Sequence, residues 1–202
     1  MNKKFAQFVA LPVLVFAFAS TAQASTEVVD FGSGGSSFFT TNIREVFYVN
    51  TALSDYSGSG FKNLADATGS QWVATNFRET SSASFSSSSG GLFDLNSVWF
   101  AGAWGNQTLT ITGYANGAAV YSTNVDITMT AQQYDFTGFL GIDKFTITTN
   151  GNFVRDPSSP RNGLNWALGS VNVTTVPEPE AYAMLLAGLG LMGAMARRRR
   201  RN

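Results

Sequence analysis

The chain contains no cysteine and no histidine. These two absences together remove thiolate nucleophiles, disulfide staples, imidazole general bases and the usual zinc ligand sets. Lack of cysteine does not argue against export, because a domain of this size can be stable without the disulfides that small secreted domains need. Charge is also scarce, at 13% of residues, and the formal neutrality hides an asymmetry. Lys3 and Lys4 open the chain and Arg197, Arg198, Arg199, Arg200 and Arg201 close it, whereas between Ser25 and Val176 six basic residues face eleven acidic ones, a net of −5. Binding nucleic acid through a folded surface needs clustered Lys and Arg to release counterions, so nucleic acid is excluded as a partner.

What is present divides the sequence into three: residues 1–24, 25–175 and 176–202. In the first, Lys3 and Lys4 precede an apolar run from Phe8 to Ala19 and an Ala22-Gln23-Ala24 ending. The run is short for a membrane span, and a peptidase that accepts small side chains suits Ala22 and Ala24, so this is read as a signal peptide cut after Ala24. The partners this implies are signal peptidase and the export machinery.

The last part reads Val176-Pro177-Glu178-Pro179-Glu180, an uncharged run from Ala181 to Ala196, and five arginines. Two prolines around one Glu predict a stiff, extended segment open to a recognising enzyme. The run of 16 residues reads as a helix of roughly 24 Å, a little short of a hydrocarbon layer of about 30 Å, with snorkelling arginines making up the difference. Five arginines oppose translocation and hold this end in the cytoplasm. The expectation is a transmembrane helix over 181–196, anchored in the inner membrane during transit.

With all three parts in order at the end of the chain, this tail resembles a PEP-CTERM sorting signal. The resemblance implies export in Gram-negative bacteria that make exopolysaccharide, with the membrane cysteine peptidase exosortase acting at Pro177, Glu178 and Pro179 and the protein then reaching the cell surface or extracellular matrix. Many such tails place Ser or Thr after the motif; here Glu180 and Ala181 follow.

The middle part is long enough to bury about 68–70% of its unfolded surface. Short β-branched and aromatic runs alternate with turn residues, no amphipathic helix of convincing length stands out, and the reading is all-β, an antiparallel sandwich. Strands are expected at 27–31, 44–49, 71–77, 97–101, 108–114, 120–130, 143–148 and 166–174. Asn116-Gly117 predicts a tight hairpin turn between the fifth and sixth of these. Val171 and Val173 sit out of phase with Trp166 and Leu168, which predicts a bulge near Gly169-Ser170. Gly32 to Ser37, Ser81 to Ser89 with Gly90-Gly91, and Asp156 to Pro160 read as loops, with an edge strand placing Ala83 and Phe85 on one face as the alternative for the Ser-rich run, which could also accept O-linked sugar. From Asp94 to Thr174 the strand order resembles the jelly-roll domains of exported PEP-CTERM proteins, which are similar to carbohydrate-binding sandwiches. An acidic pair common in such relatives falls here on Gly169-Ser170.

Site candidates are few. Trp72, Trp99, Trp104 and Trp166 could stack on sugar rings; core burial is the reading for Trp99 and Trp166, and Trp104, between Gly102 and Gly105, is the ligand-binding candidate. Asp135, Asp143 and Asp156 offer oxygens to calcium, but no calcium loop is present and caps for backbone amides are expected instead, so neither a metal nor a cofactor is assigned. Two Asn-x-Thr triplets, at Asn106 and Asn172, read as chance. These features lead to a non-enzymatic exported protein associating with exopolysaccharide. The alternative is a secreted hydrolase using an unidentified carboxylate pair.

Overall fold

The computed structural model describes residues 24–31, 36–42, 45–49, 57–76, 82–177 and 179–199. The signal-peptide reading, apart from an exposed Ala24, lies outside these residues, as do most of the Gly32–Ser37 loop and Glu178, Arg200 and Arg201. The chain divides into a compact unit, Gln23–Glu178, and a second unit containing Pro179–Asn202.

The compact unit is a two-layer antiparallel sandwich. One sheet contains β3 (Glu45–Tyr48), β4 (Trp72–Thr75), β11 (Trp166–Thr175), β6 (Phe93–Gly102) and β9 (Gln132–Asp135) in that order, with β1 (Thr26–Val29) paired to β11. The other runs β2 (Phe39–Thr41), β5 (Ser82–Ser87), β10 (Lys144–Arg155), β7 (Gly105–Ala115) and β8 (Ala118–Ile127). Alternation places Leu109 and Ile111 of β7 and Phe145 and Ile147 of β10 inward, fully buried. They meet Leu95, Phe100, Leu168, Val171 and Val173 of the first sheet in one apolar cluster. At one end this core is phenylalanine: Phe85 and Phe145 stack at 4.8 Å and 10°, and Phe39 meets both edge-on.

The expected hairpin is present. Ala115 pairs with Ala118, and Asn116 and Gly117 take φ of 52° and 79°, the pair of positive values a two-residue turn demands. The expected bulge is also present, as a register shift between Leu168 and Val171 where β11 pairs β6. It brings both valines onto the face already used by Trp166 and Leu168.

Three expectations need correction. The Ser-rich run is a strand, not a loop: β5 lies between β2 and β10, with Ala83 and Phe85 fully buried. Serine is neutral toward the choice, and two inward apolar side chains suffice to hold the strand. A helix exists where none was expected, α1 (Gly60–Thr68). Ser59 caps its start by accepting from Lys62 N, Gly69 ends it at φ 73°, and Phe61, Leu64 and Ala65 form a buried stripe. With nine residues it owes its stability to the sheet it covers. Third, the tail forms α2 (Pro179–Arg199), which is longer than 181–196 because Pro179 suits the first helical position and the arginines continue the turn. Even so, among the described residues no helix is long and apolar enough to cross a membrane. Its uncharged stretch is flanked by Glu180 and Arg197, and the extra turns add charge, not apolar length.

Candidate functional site

The Pro177-Glu178-Pro179 segment begins where the ladder stops. Thr175 N donates to Ser25 O at 2.9 Å, Ser25 N to Thr175 Oγ1 at 3.2 Å, and Val176 N to Leu92 O at 2.9 Å. Pro177, the next residue, has no N–H to offer and cannot extend the ladder. The folded unit therefore runs up to Val176, and the first residue beyond the expected signal-peptide cut lies beside the entrance to the C-terminal motif.

Trp104 is not a ligand platform. Its side chain is 1% exposed, with Phe61 edge-on at 5.3 Å, the Arg161 guanidinium 5.7 Å from its ring centre, and Nε1 donating to Asn165 Oδ1. It does sit in a bend, between the end of β6 at Gly102 and the start of β7 at Gly105, and the flanking glycines also serve close approach: a Cβ on Gly102 would meet Gly105 O at 2.0 Å. Trp166 is a core residue at 0% exposure. Trp99 is half-buried against the α1-side cluster, and Trp72 is half-buried with Tyr48 edge-on at 5.3 Å. The four tryptophans thus do not come together.

Five of the aspartates are likewise dispersed and engaged. Asp143 Oδ2 accepts from Asn116 N at 2.6 Å and ties the β7–β8 turn to β10, while Asp94 Oδ1 accepts from Gly141 N at 2.7 Å. Ser158 donates its hydroxyl and its backbone N–H to Asp156 Oδ1, and these bonds, the hydroxyl first, hold that carboxyl below its ordinary range. Asp135 accepts from Gln133, and Asp66 pairs with Lys62. Among the described residues no group of three or more potential metal ligands converges. A shallow depression of about 480 Å³ beside α1 is lined by Asn63 and Asp66, the first donating to Met129 O and the second paired with Lys62.

Sequence reasoning overlooked the outer face of the β2-β5-β10-β7-β8 sheet. Register places Ser84, Thr146, Thr112 and Ser122 in one row across four strands, and Ser82, Thr148, Thr110 and Asn124 in the next. A third row holds Thr40, Ser86, Lys144 and Tyr114, with Lys144 Nζ 4.4 Å from the Tyr114 ring centre. All are half-buried or exposed. Cross-strand bonds fix many of them: Thr110 Oγ1 donates to Asn124 Oδ1 at 2.8 Å and Thr108 Oγ1 to Asp126 Oδ1 at 2.6 Å, Thr112 and Ser122 hydroxyls lie 3.3 Å apart, and Thr148 donates to Ser82 Oγ at 3.3 Å. The signal was there in Thr108-Leu109-Thr110-Ile111-Thr112 and Ser82-Ala83-Ser84-Phe85-Ser86, where the wet half of each alternation is hydroxyl.

Residues 175–201 match a family model described as the PEP-CTERM protein-sorting motif. Comparison with curated proteins returns no match. Among solved structures, the chain is similar to a point mutant of a carbohydrate binding module of family 29, at 14% identity over 75% of this chain and 92% of that one, with a TM-score of 0.43. A further family 29 carbohydrate binding module gives 14% identity, 75% and 89% coverage, and a TM-score of 0.42. A family 89 glycoside hydrolase from Clostridium perfringens gives 10%, 69%, 14% and 0.33 for the same quantities.

Proposed function

We propose that this is an exported, non-enzymatic β-sandwich protein, processed by exosortase at Pro177-Glu178-Pro179 and delivered to the cell surface or extracellular matrix, where it associates with exopolysaccharide. The observation that carries the route is the PEP-CTERM sorting motif at 175–201, which implies an exported protein that passes the membrane. Its position supports the reading: the last ladder bond is made by Val176, and Pro177 has no N–H with which to continue it.

The non-enzymatic half is supported by how the carboxylates are used. A glycosidase needs one carboxyl that keeps its proton beside a second that does not. Here six of the eleven carboxylates between Ser25 and Val176, Asp66, Asp94, Asp126, Asp135, Asp143 and Asp156, each hold a neighbouring donor, in turns and on strand faces spread over the domain. Association with polysaccharide is supported by the hydroxyl-bearing outer face, where among the described residues of its rows Asp126 is the carboxylate, so no calcium requirement is expected.

Mass spectrometry of the mature protein tests the route. A C-terminus near Pro177 to Pro179 is the expected result, and an intact arginine run in the exported protein would overturn it. Glu178→Ala should leave unprocessed precursor in the membrane fraction. Unchanged processing of that variant would show that the motif is not what the peptidase reads.

A further inference from the structure

We propose that the outer face of the β5-β10-β7-β8 sheet is the polysaccharide site and that it selects neutral, extended glycan chains lying across the strands. This rests on the polysaccharide reading above and adds where the ligand sits, which class it belongs to and how it lies.

Three observations lead here. The face is nearly uncharged: its two central rows hold only hydroxyls and one amide, with Lys144 and Asp126 at the margins. The wet face of an antiparallel sheet needs polar groups, but solubility alone does not call for so little charge. An acidic glycan would call for Arg and Lys that grip carboxylate or sulfate, whereas this domain carries a net charge of −5 and Lys144, the cation in the three rows, packs over Tyr114. Neutral sugar hydroxyls, being both donors and acceptors, match Ser, Thr and Asn.

The second observation is preorganisation. Threonine has a stiff χ1, and the Thr110–Asn124, Thr112–Ser122 and Thr148–Ser82 contacts hold these side chains in place before any ligand arrives. Short, bonded side chains lose little rotamer freedom on binding, in contrast to the lysines and glutamates that commonly cover exposed strands. The third is spacing. Each of the two central rows presents a polar group on all four strands, at about 4.8 Å, close to the length of one sugar ring in an extended chain, whereas successive groups along a strand recur only at about 7 Å.

The test uses the full chain in mild detergent, a soluble neutral β-linked glucan and its oligosaccharides, and a polyuronate of similar length, with affinity read by calorimetry. The expected results are binding to the neutral glucan with and without chelator, weaker binding to the polyuronate, and affinity that rises up to about four sugar units and then levels off, one unit per strand crossed. The double variant Thr112→Val with Thr146→Val should weaken binding by about tenfold or more at an unchanged melting temperature. Ser84→Glu, which leaves the other hydroxyls in place, should weaken it as well. Binding by the unaltered chain that neither change affects would overturn this site and leave the polysaccharide reading standing, and a preference for the polyuronate would overturn the ligand class. No binding to either polymer would overturn the polysaccharide reading itself, with processing of the tail unaffected.

Discussion

On the six-stranded sheet the outward positions of β4, β6 and β11 include Val73, Ala101 and Ala167, each fully buried beneath α1. On the five-stranded sheet the outward positions of β7 and β10 include Thr110, Thr112, Thr146 and Thr148, which face solvent. Both sheets alternate with the same period and share one core, so the difference lies only in what each outward residue is asked to meet. Small apolar side chains on one side let a helix approach so closely that Gly60 N donates to Ala103 O at 3.0 Å. A Cβ on Gly60 would lie 2.0 Å from Gly102 O. Hydroxyls on the other side satisfy one another across strands and need no cover. A sheet face is therefore committed to packing or to solvent by its second-phase residues, and a face that is polar without being charged stays available for a ligand.

The contrast can be broken most severely from the covered side. Ala167→Lys would leave an unpaired ammonium beneath α1 and should cost about 4 kcal/mol or more, enough to prevent folding, as judged by loss of a cooperative melt. Phe61→Ala removes the α1 ring that packs on Trp104 and should cost about 3–5 kcal/mol in denaturant unfolding. Smaller effects should come from the seams. Tyr134 of β9 donates its hydroxyl to Asp126 O of β8 at 2.7 Å, linking the edges of the two sheets. Burial first, then the Asp126 charge, raises its phenol above the ordinary tyrosine range. Because the folded form favours the protonated phenol, that stability is fully present below about pH 10 and is lost as pH rises through the raised value. Tyr134→Phe should cost about 1 kcal/mol at neutral pH and flatten the alkaline decline of the melting temperature. Smallest of all, Thr112→Lys on the bare face should change stability by no more than about 0.5 kcal/mol. A large loss there would show that the outer face is structural after all.

Legibility followed the range of the interactions involved. The Asn116-Gly117 hairpin and the β11 bulge were readable because a positive-φ dipeptide and a phase slip are local statements. Helix α1 carried local signals too, Ser59 before it, Phe61, Leu64 and Ala65 within it and Gly69 after it, but nine residues are too few to stand out without the sheet that completes them. Trp104 misled because its place in the bend between β6 and β7 does not expose it: the partners Phe61, Arg161 and Asn165, distant in sequence, bury the ring.

By itself the sequence determined the all-β class, the tripartite tail and the acidic, cysteine-free and histidine-free middle, because these depend on composition, periodicity and order along the chain. Tertiary structure alone decided which outward face is covered and which is open, that Ser82–Ser87 is an interior strand, and that the tail helix gains charge, not apolar length, when it extends. Alternation marks a wet side and a dry side for each strand, but whether serines and threonines from four strands line up as one surface depends on register between segments up to 66 residues apart, as with Thr148 and Ser82.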